Sequence, residues 1–264
     1  MHSEFDSLIY SIRHKRKIVV GISCVVSLLV LMILTWEEGK NGVVVKEAAN
    51  PCIVVLAFLL CVFIESLAFV YVSRDIDISM NVECDPRKHL ILNEALNKTN
   101  NIDHVYAVDF IYLGDFKSSL VYSDKMTLHK RDSVKIAGFF NKARCYYFLG
   151  ETENLKFCVE QYKNILYNSK ISDKRKINYQ KMENVLDLLI ALSEKDSEKI
   201  LLYRNIEAWN KSKATEGFVT FLKGVIAYEI CDKSEAVYNF MHVKKNCEKT
   251  VLCQMANEYL SVLG

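Results

Sequence analysis

Ile18 to Trp36 reads IVVGISCVVSLLVLMILTW, nineteen residues without a charged side chain. At 1.5 Å rise per residue such a helix is about 28 Å long, close to the ~30 Å hydrocarbon thickness of a bilayer. A second window, Pro51 to Val72, is PCIVVLAFLLCVFIESLAFVYV, interrupted by a single acid, Glu65. The two windows predict a transmembrane hairpin: a basic N-terminus over 1–17, spans over 18–36 and 51–72, and an external loop over 37–50. A secretory signal peptide is the competing reading of the first window, because Arg13, His14, Lys15, Arg16 and Lys17 precede it. Its apolar stretch exceeds the usual length of about 7–15 residues and runs into EEGKNG instead of a small-x-small cleavage site, which favours an uncleaved anchor.

Lys and Arg set the expected orientation. The first seventeen residues carry Arg13, Lys15, Arg16 and Lys17, the 37–50 loop carries Lys40 and Lys46, and the stretch after the second span carries Arg74, Arg87 and Lys88. Both chain ends are therefore expected in the cytoplasm. Richness in Lys, Asn and Ile suits an AT-rich bacterial genome, so a bacterial cell membrane is the expected location. Glu65 falls about 10 Å inside the cytoplasmic end of its span, level with Ser23, Cys24 and Ser27 of the first. An acid within a membrane marks a functional site by default. The plainer alternative is a carboxyl group that hydrogen-bonds Ser23 or Ser27 and pins the hairpin.

The only two prolines follow Asn50 and Asp85. Each pair offers a side-chain acceptor at an N-cap and a proline at the first helical position, where its missing N–H costs nothing. Pro51 is expected to open the second span and Pro86 a soluble domain over 86–264, leaving 73–85 as a juxtamembrane linker. From residue 73 onward 28 Lys/Arg face 26 Asp/Glu, a balance that gives no field for nucleic acid. The locally basic KISDKRK at 170–176 reads as a solvated loop. Nine scattered cysteines with no CxxC pair support neither a disulfide framework nor a metal site, and they suit a reducing compartment.

Beyond Pro86 the apolar spacing is helical almost throughout. YAVDFIYL followed by GDFKSSLVYSDKM describes a helical hairpin turning at Leu113-Gly114. KARCYYFL then GETENLKFCVEQY repeats the plan, as does KGVIAYEI then CDKSEAVYNFMHV. Aligned on their turns, Leu113, Leu149, Leu192 and Ile230 lie 36, 43 and 38 residues apart. Six residues before each lie Ala107, Ala143, Leu186 and Gly224, so three of four copies place a small residue where the paired helices would touch. In the aromatic-Leu-Gly-acid turns, glycine supplies a left-handed cap and the acid starts the next helix.

These units resemble the tetratricopeptide repeats. FLKGVIAYEICDKSEAVYNF (221–240) fits that pattern best, with Gly224 and Ala236 at its small positions, Asp232 in the turn and Phe240 at the aromatic position. The first two units keep Ala107 with Phe110 and Ala143 with Tyr146, but place Ser119 and Leu155 at the small position of the second helix. The third unit is barely recognisable, and no unit carries the closing proline. The expected fold is all-α: two transmembrane helices followed by an α-solenoid of about four hairpins, with 87–96 and 251–263 as its caps. The resemblance implies a concave surface lined by first helices, and makes Asn141, Lys142, Tyr146, Lys223 and Tyr228 ligand-facing candidates.

No phosphate loop, nucleophile elbow or HExxH motif occurs, and the six histidines lack metal-ligand spacing. No catalytic residue, metal or cofactor is therefore expected. Expected instead is a membrane-held scaffold or adaptor that binds a protein or peptide. The alternatives are a peptide-responsive membrane regulator, or an accessory subunit of a membrane complex that acts through the hairpin and Glu65.

Overall fold

The computed structural model describes residues 76–96 and 103–264, with scattered positions upstream. The chain divides into two compact units, 1–75 and 76–264. In the first, the described positions between Tyr10 and Arg74 are helical, and Ser23 is buried. Most of the two apolar windows lies outside the described residues, as do Glu65 and Ser27. No helix among the described residues is long and apolar enough to cross a membrane.

The second unit is helical, without strands among its described residues. Residues 76–81 are helical, and ten helices follow: α1 (Pro86–Leu96), α2 (Asp103–Leu113), α3 (Phe116–Thr127), α4 (Asp132–Leu149), α5 (Thr152–Asn168), α6 (Asp173–Glu194), α7 (Ser197–Leu202), α8 (Lys213–Glu229), α9 (Lys233–Asn246) and α10 (Val251–Leu263). The expected N-cap before Pro86 is present, with the Lys88 amide donating to Asp85 Oδ1 at 2.9 Å. The expected linker is partly structured, because Ile76, Met80 and Cys84 recur at helical spacing and are all buried. That segment belongs to the folded unit.

One turn design joins the four hairpins α2/α3, α4/α5, α6/α7 and α8/α9. Gly114, Gly150, Lys195 and Cys231 adopt left-handed φ values of 82°, 73°, 55° and 61°. The amide of the acid that follows each one donates to a carbonyl five residues back: Asp115 to Phe110, Glu151 to Tyr146, Asp196 to Ala191 and Asp232 to Ala227, at 2.8–3.0 Å. Three of these acids also cap the next helix, accepting from the amides of Ser118, Lys199 and Glu235 at 3.1 Å each. Orphan carbonyls of one helix and orphan amides of the next are thus satisfied within a few residues. The third turn corrects the sequence register: its left-handed residue is Lys195, so Glu194 takes the place expected for Leu192.

Chain-adjacent helices pack against each other, and α2 with α4, α4 with α6 and α8 with α10 add contacts between successive units. The small positions serve this packing. Ser119 donates to the Ala107 carbonyl at 2.6 Å where α3 crosses α2, and a Cβ on Gly224 would lie 2.7–3.0 Å from the Phe240 ring.

The stack does not stay open. The Tyr112 hydroxyl on α2 donates to the Ala214 carbonyl on α8 at 3.0 Å, α2 also packs against α10, and a Cβ on Gly114 would come within 2.9 Å of Val251. Lys249 reaches Asp85 at 2.7 Å, and Cys84 and Cys247, in the same two segments, are both fully buried. First and last units therefore meet, and their first helices face a common interior.

Gly150 tests the turn chemistry cleanly, since nothing lies within 4 Å of a Cβ placed there. Gly150→Ala is expected to cost about 1–2 kcal/mol from left-handed backbone strain alone. Lys195→Gly relieves the same strain and is expected to be neutral or stabilising by up to about 1 kcal/mol. Chemical denaturation of both variants checks the pair.

Candidate functional site

A cavity of about 240 Å³ occupies the interior enclosed by the first helices. Val108 and Tyr112 of α2, Ala137, Phe140, Asn141 and Arg144 of α4, Met182 of α6, and Ala214 and Thr215 of α8 line it. Met80, Met126, Trp209 and Ser212 complete the wall, with the exposed His104 and Asn210 at its rim. The wall is mainly apolar and includes no acid.

Arg144 is the group the fold does not explain. Its side chain is only 2% exposed, yet Nε and Nη2 are buried without a hydrogen-bond partner. It lies among rings instead: its Cζ is 4.4 Å from the centre of Phe218, 5.1 Å from Tyr112 and 5.6 Å from Phe140. A desolvated cation–π contact is worth roughly 2 kcal/mol, while a buried guanidinium keeps its charge and suffers a desolvation penalty of several kcal/mol. The rings offset part of that penalty and supply no counter-charge. Burial pushes the Tyr112 hydroxyl above its ordinary pKa, so it stays protonated and donates to Ala214.

The local sequence dictates this placement. Phe140 and Arg144 are one helical turn apart on α4, so they share a face, and Ala143 and Cys145 beside Arg144 are fully buried. Phe140 packs edge-on to Trp209 at 4.9 Å, and Trp209 to Phe218 at 6.3 Å, closing an aromatic wall behind the guanidinium.

Of the candidates read from sequence, Asn141 lines the cavity and is 3% exposed. Lys142 points elsewhere, pairing with Asp124 of α3 at 2.6 Å. Tyr146 and Lys223 are half-buried outside the cavity lining, and Tyr228 stacks edge-on to Tyr259 of α10 at 5.1 Å. Arg144 was not among them, because Asn141 and Lys142 just before it make the stretch read as a solvent-facing one. A larger groove of about 430 Å³, between Asp132 and the 169–179 segment, includes the basic loop. Its Lys170 and Arg175 are exposed, so nothing there fixes a ligand. Among the described residues no cluster of His, Cys, Asp or Glu could hold a metal ion.

A second buried polar feature joins α1 to α2. His89 Nδ1 lies 2.8 and 2.9 Å from the two carboxylate oxygens of Asp109, whose side chain is fully buried. Desolvation pushes the Asp109 carboxyl up to about 6, while the hydrogen bond and charge of His89 pull it down. A carboxyl raised above its unfolded value of about 4 takes up a proton on folding, so the stability it contributes is present below about 4 and lost as pH rises toward 6. The wild type is therefore expected to lose stability relative to Asp109→Asn, by up to about 3 kcal/mol, as pH rises from about 4 to about 6. Thermal melts of both proteins across that range measure the difference.

Compared with models of known protein families, with characterised proteins and with solved structures, the chain matches none.

Proposed function

We propose that this chain is a membrane-held binding protein: a degenerate tetratricopeptide-like array that captures a protein or peptide, carried on an N-terminal two-span anchor. The carrying observation is recurrence. Four hairpins share one turn design, and each outer helix keeps a large apolar side chain in solvent: Val121 on α3, Phe157 on α5, Leu202 on α7 and Tyr238 on α9. Scattered exposed apolar residues are ordinary on any surface. At least one in every repeat, on successive outer helices, is what an extended protein-binding surface would use. The anchor reading rests on the uncharged windows 18–36 and 51–72, and tethering would raise a partner's effective concentration at the bilayer.

The cavity around Arg144 favours a second reading, in which the domain is a ligand-responsive regulator. An occupant of an interior shared by all four first helices would touch every repeat, and could change how the units pack. An adaptor whose outer face alone matters has no use for a buried, unpaired charge.

Crosslinking in intact membranes is expected to capture the same protein partner with the full-length chain and with a chain that starts at residue 73. Phe157→Ala combined with Tyr238→Ala should cut that recovery several-fold. If truncation instead loses a set of membrane proteins, function passes to the hairpin and Glu65.

A further inference from the structure

We propose that the cavity around Arg144 binds a carboxylate carried on a compact apolar body, either a small free acid or the C-terminal residue of a peptide. The proposal deepens the ligand-responsive reading and rests on it only for the consequence of binding.

The argument begins with which donors are free. Nε and Nη2 form one edge of the guanidinium and present two parallel N–H groups, the fork that a carboxylate accepts in bidentate fashion. Both are buried and unpaired. No acid stands in the lining, so an anionic occupant would supply the counter-charge that the wall does not. A second observation points to the same sign: Thr215 and Ala214, in the first turn of the seventeen-residue helix α8, also line the cavity, and a helix N-terminus favours negative charge.

The remaining wall selects among anions. A phosphate would need donors for further oxygens, and with the Ser212 hydroxyl engaged, donating to Thr215 Oγ1 at 2.9 Å and capping the Thr215 amide at 3.1 Å, the buried lining adds only Asn141 and the Thr215 hydroxyl. Met80, Val108, Met126, Ala137, Met182 and Trp209 offer apolar surface instead. Two oxygens on a small hydrophobic body suit this wall better than a tetrahedral dianion. The cavity of about 240 Å³ lies below the ordinary range for drug-sized ligands, which limits the occupant to a body such as benzoate, hexanoate or one terminal residue.

The test uses the full-length protein in detergent, with thermal melts and titration calorimetry. The probes are benzoate, hexanoate and a short peptide ending in leucine, each beside its neutral amide, plus inorganic phosphate. At least one acid is expected to bind and raise the melting temperature, with its amide about tenfold or more weaker. Whether the free acids or the peptide bind identifies the source of the carboxylate. Arg144→Met, which removes the charge but keeps side-chain bulk, should abolish the response. Ala137→Leu, which fills the cavity and leaves Arg144 in place, should do the same.

The proposal is overturned if no acid binds, if amides bind as well as acids, if phosphate alone binds, or if Arg144→Met or Ala137→Leu binds like wild type. Hydrogen exchange with the acid bound separates the two layers of the argument. Binding without altered protection outside the cavity keeps the site and removes the regulator reading, while altered protection across the repeats supports both.

Discussion

A permanent charge held among three aromatic rings organises the interior of this repeat domain. Arg144 comes from α4, Tyr112 from α2, Phe218 from α8, and Phe140 from Arg144's own helix. Gathering them requires the first helices of the first, second and fourth hairpins to converge. Convergence demands in turn that the ends of the array meet, which Tyr112 with Ala214 and Gly114 with Val251 accomplish. The electrostatic oddity and the departure from an open solenoid are the same structural fact.

Closure alters how the domain should respond to perturbation. In an open array each repeat touches only its neighbours, so stability is a sum of local terms. Here α2 and α10, at opposite ends of the repeats, share contacts, and Lys249 ties the start of α1 to the loop before α10. A group inside the ring is in touch with all four units. An occupant of the cavity therefore has a physical route to the outer helices that a ligand on an exposed surface would lack.

Local patterns in the sequence carried the hairpins, and long-range features stayed hidden. Gly114 and Gly150 signal a left-handed cap because other residues resist that backbone, and both adopt it. The third turn escaped for the converse reason: Lys195 adopts the left-handed conformation without a glycine to announce it, and the alignment slipped to Leu192. The caps at 87–96 and 251–263 were legible from amphipathic spacing and from the Asp85-Pro86 pair. Arg144 was not, because a charge beside Lys142 reads as surface until the burial of Ala143 and Cys145 on either side is known. Closure itself depends on pairs about a hundred or more residues apart, for which no local spacing exists.

Closure is the central claim, and native-state hydrogen exchange on Val251→Asp tests it most directly. That change puts a carboxylate where α10 meets Gly114, so a closed ring predicts lost protection at amides of α2 as well as of α9 and α10. Loss confined to α8, α9 and α10, with α2 as protected as in the wild type, would mean that the ends act independently and would contradict the account.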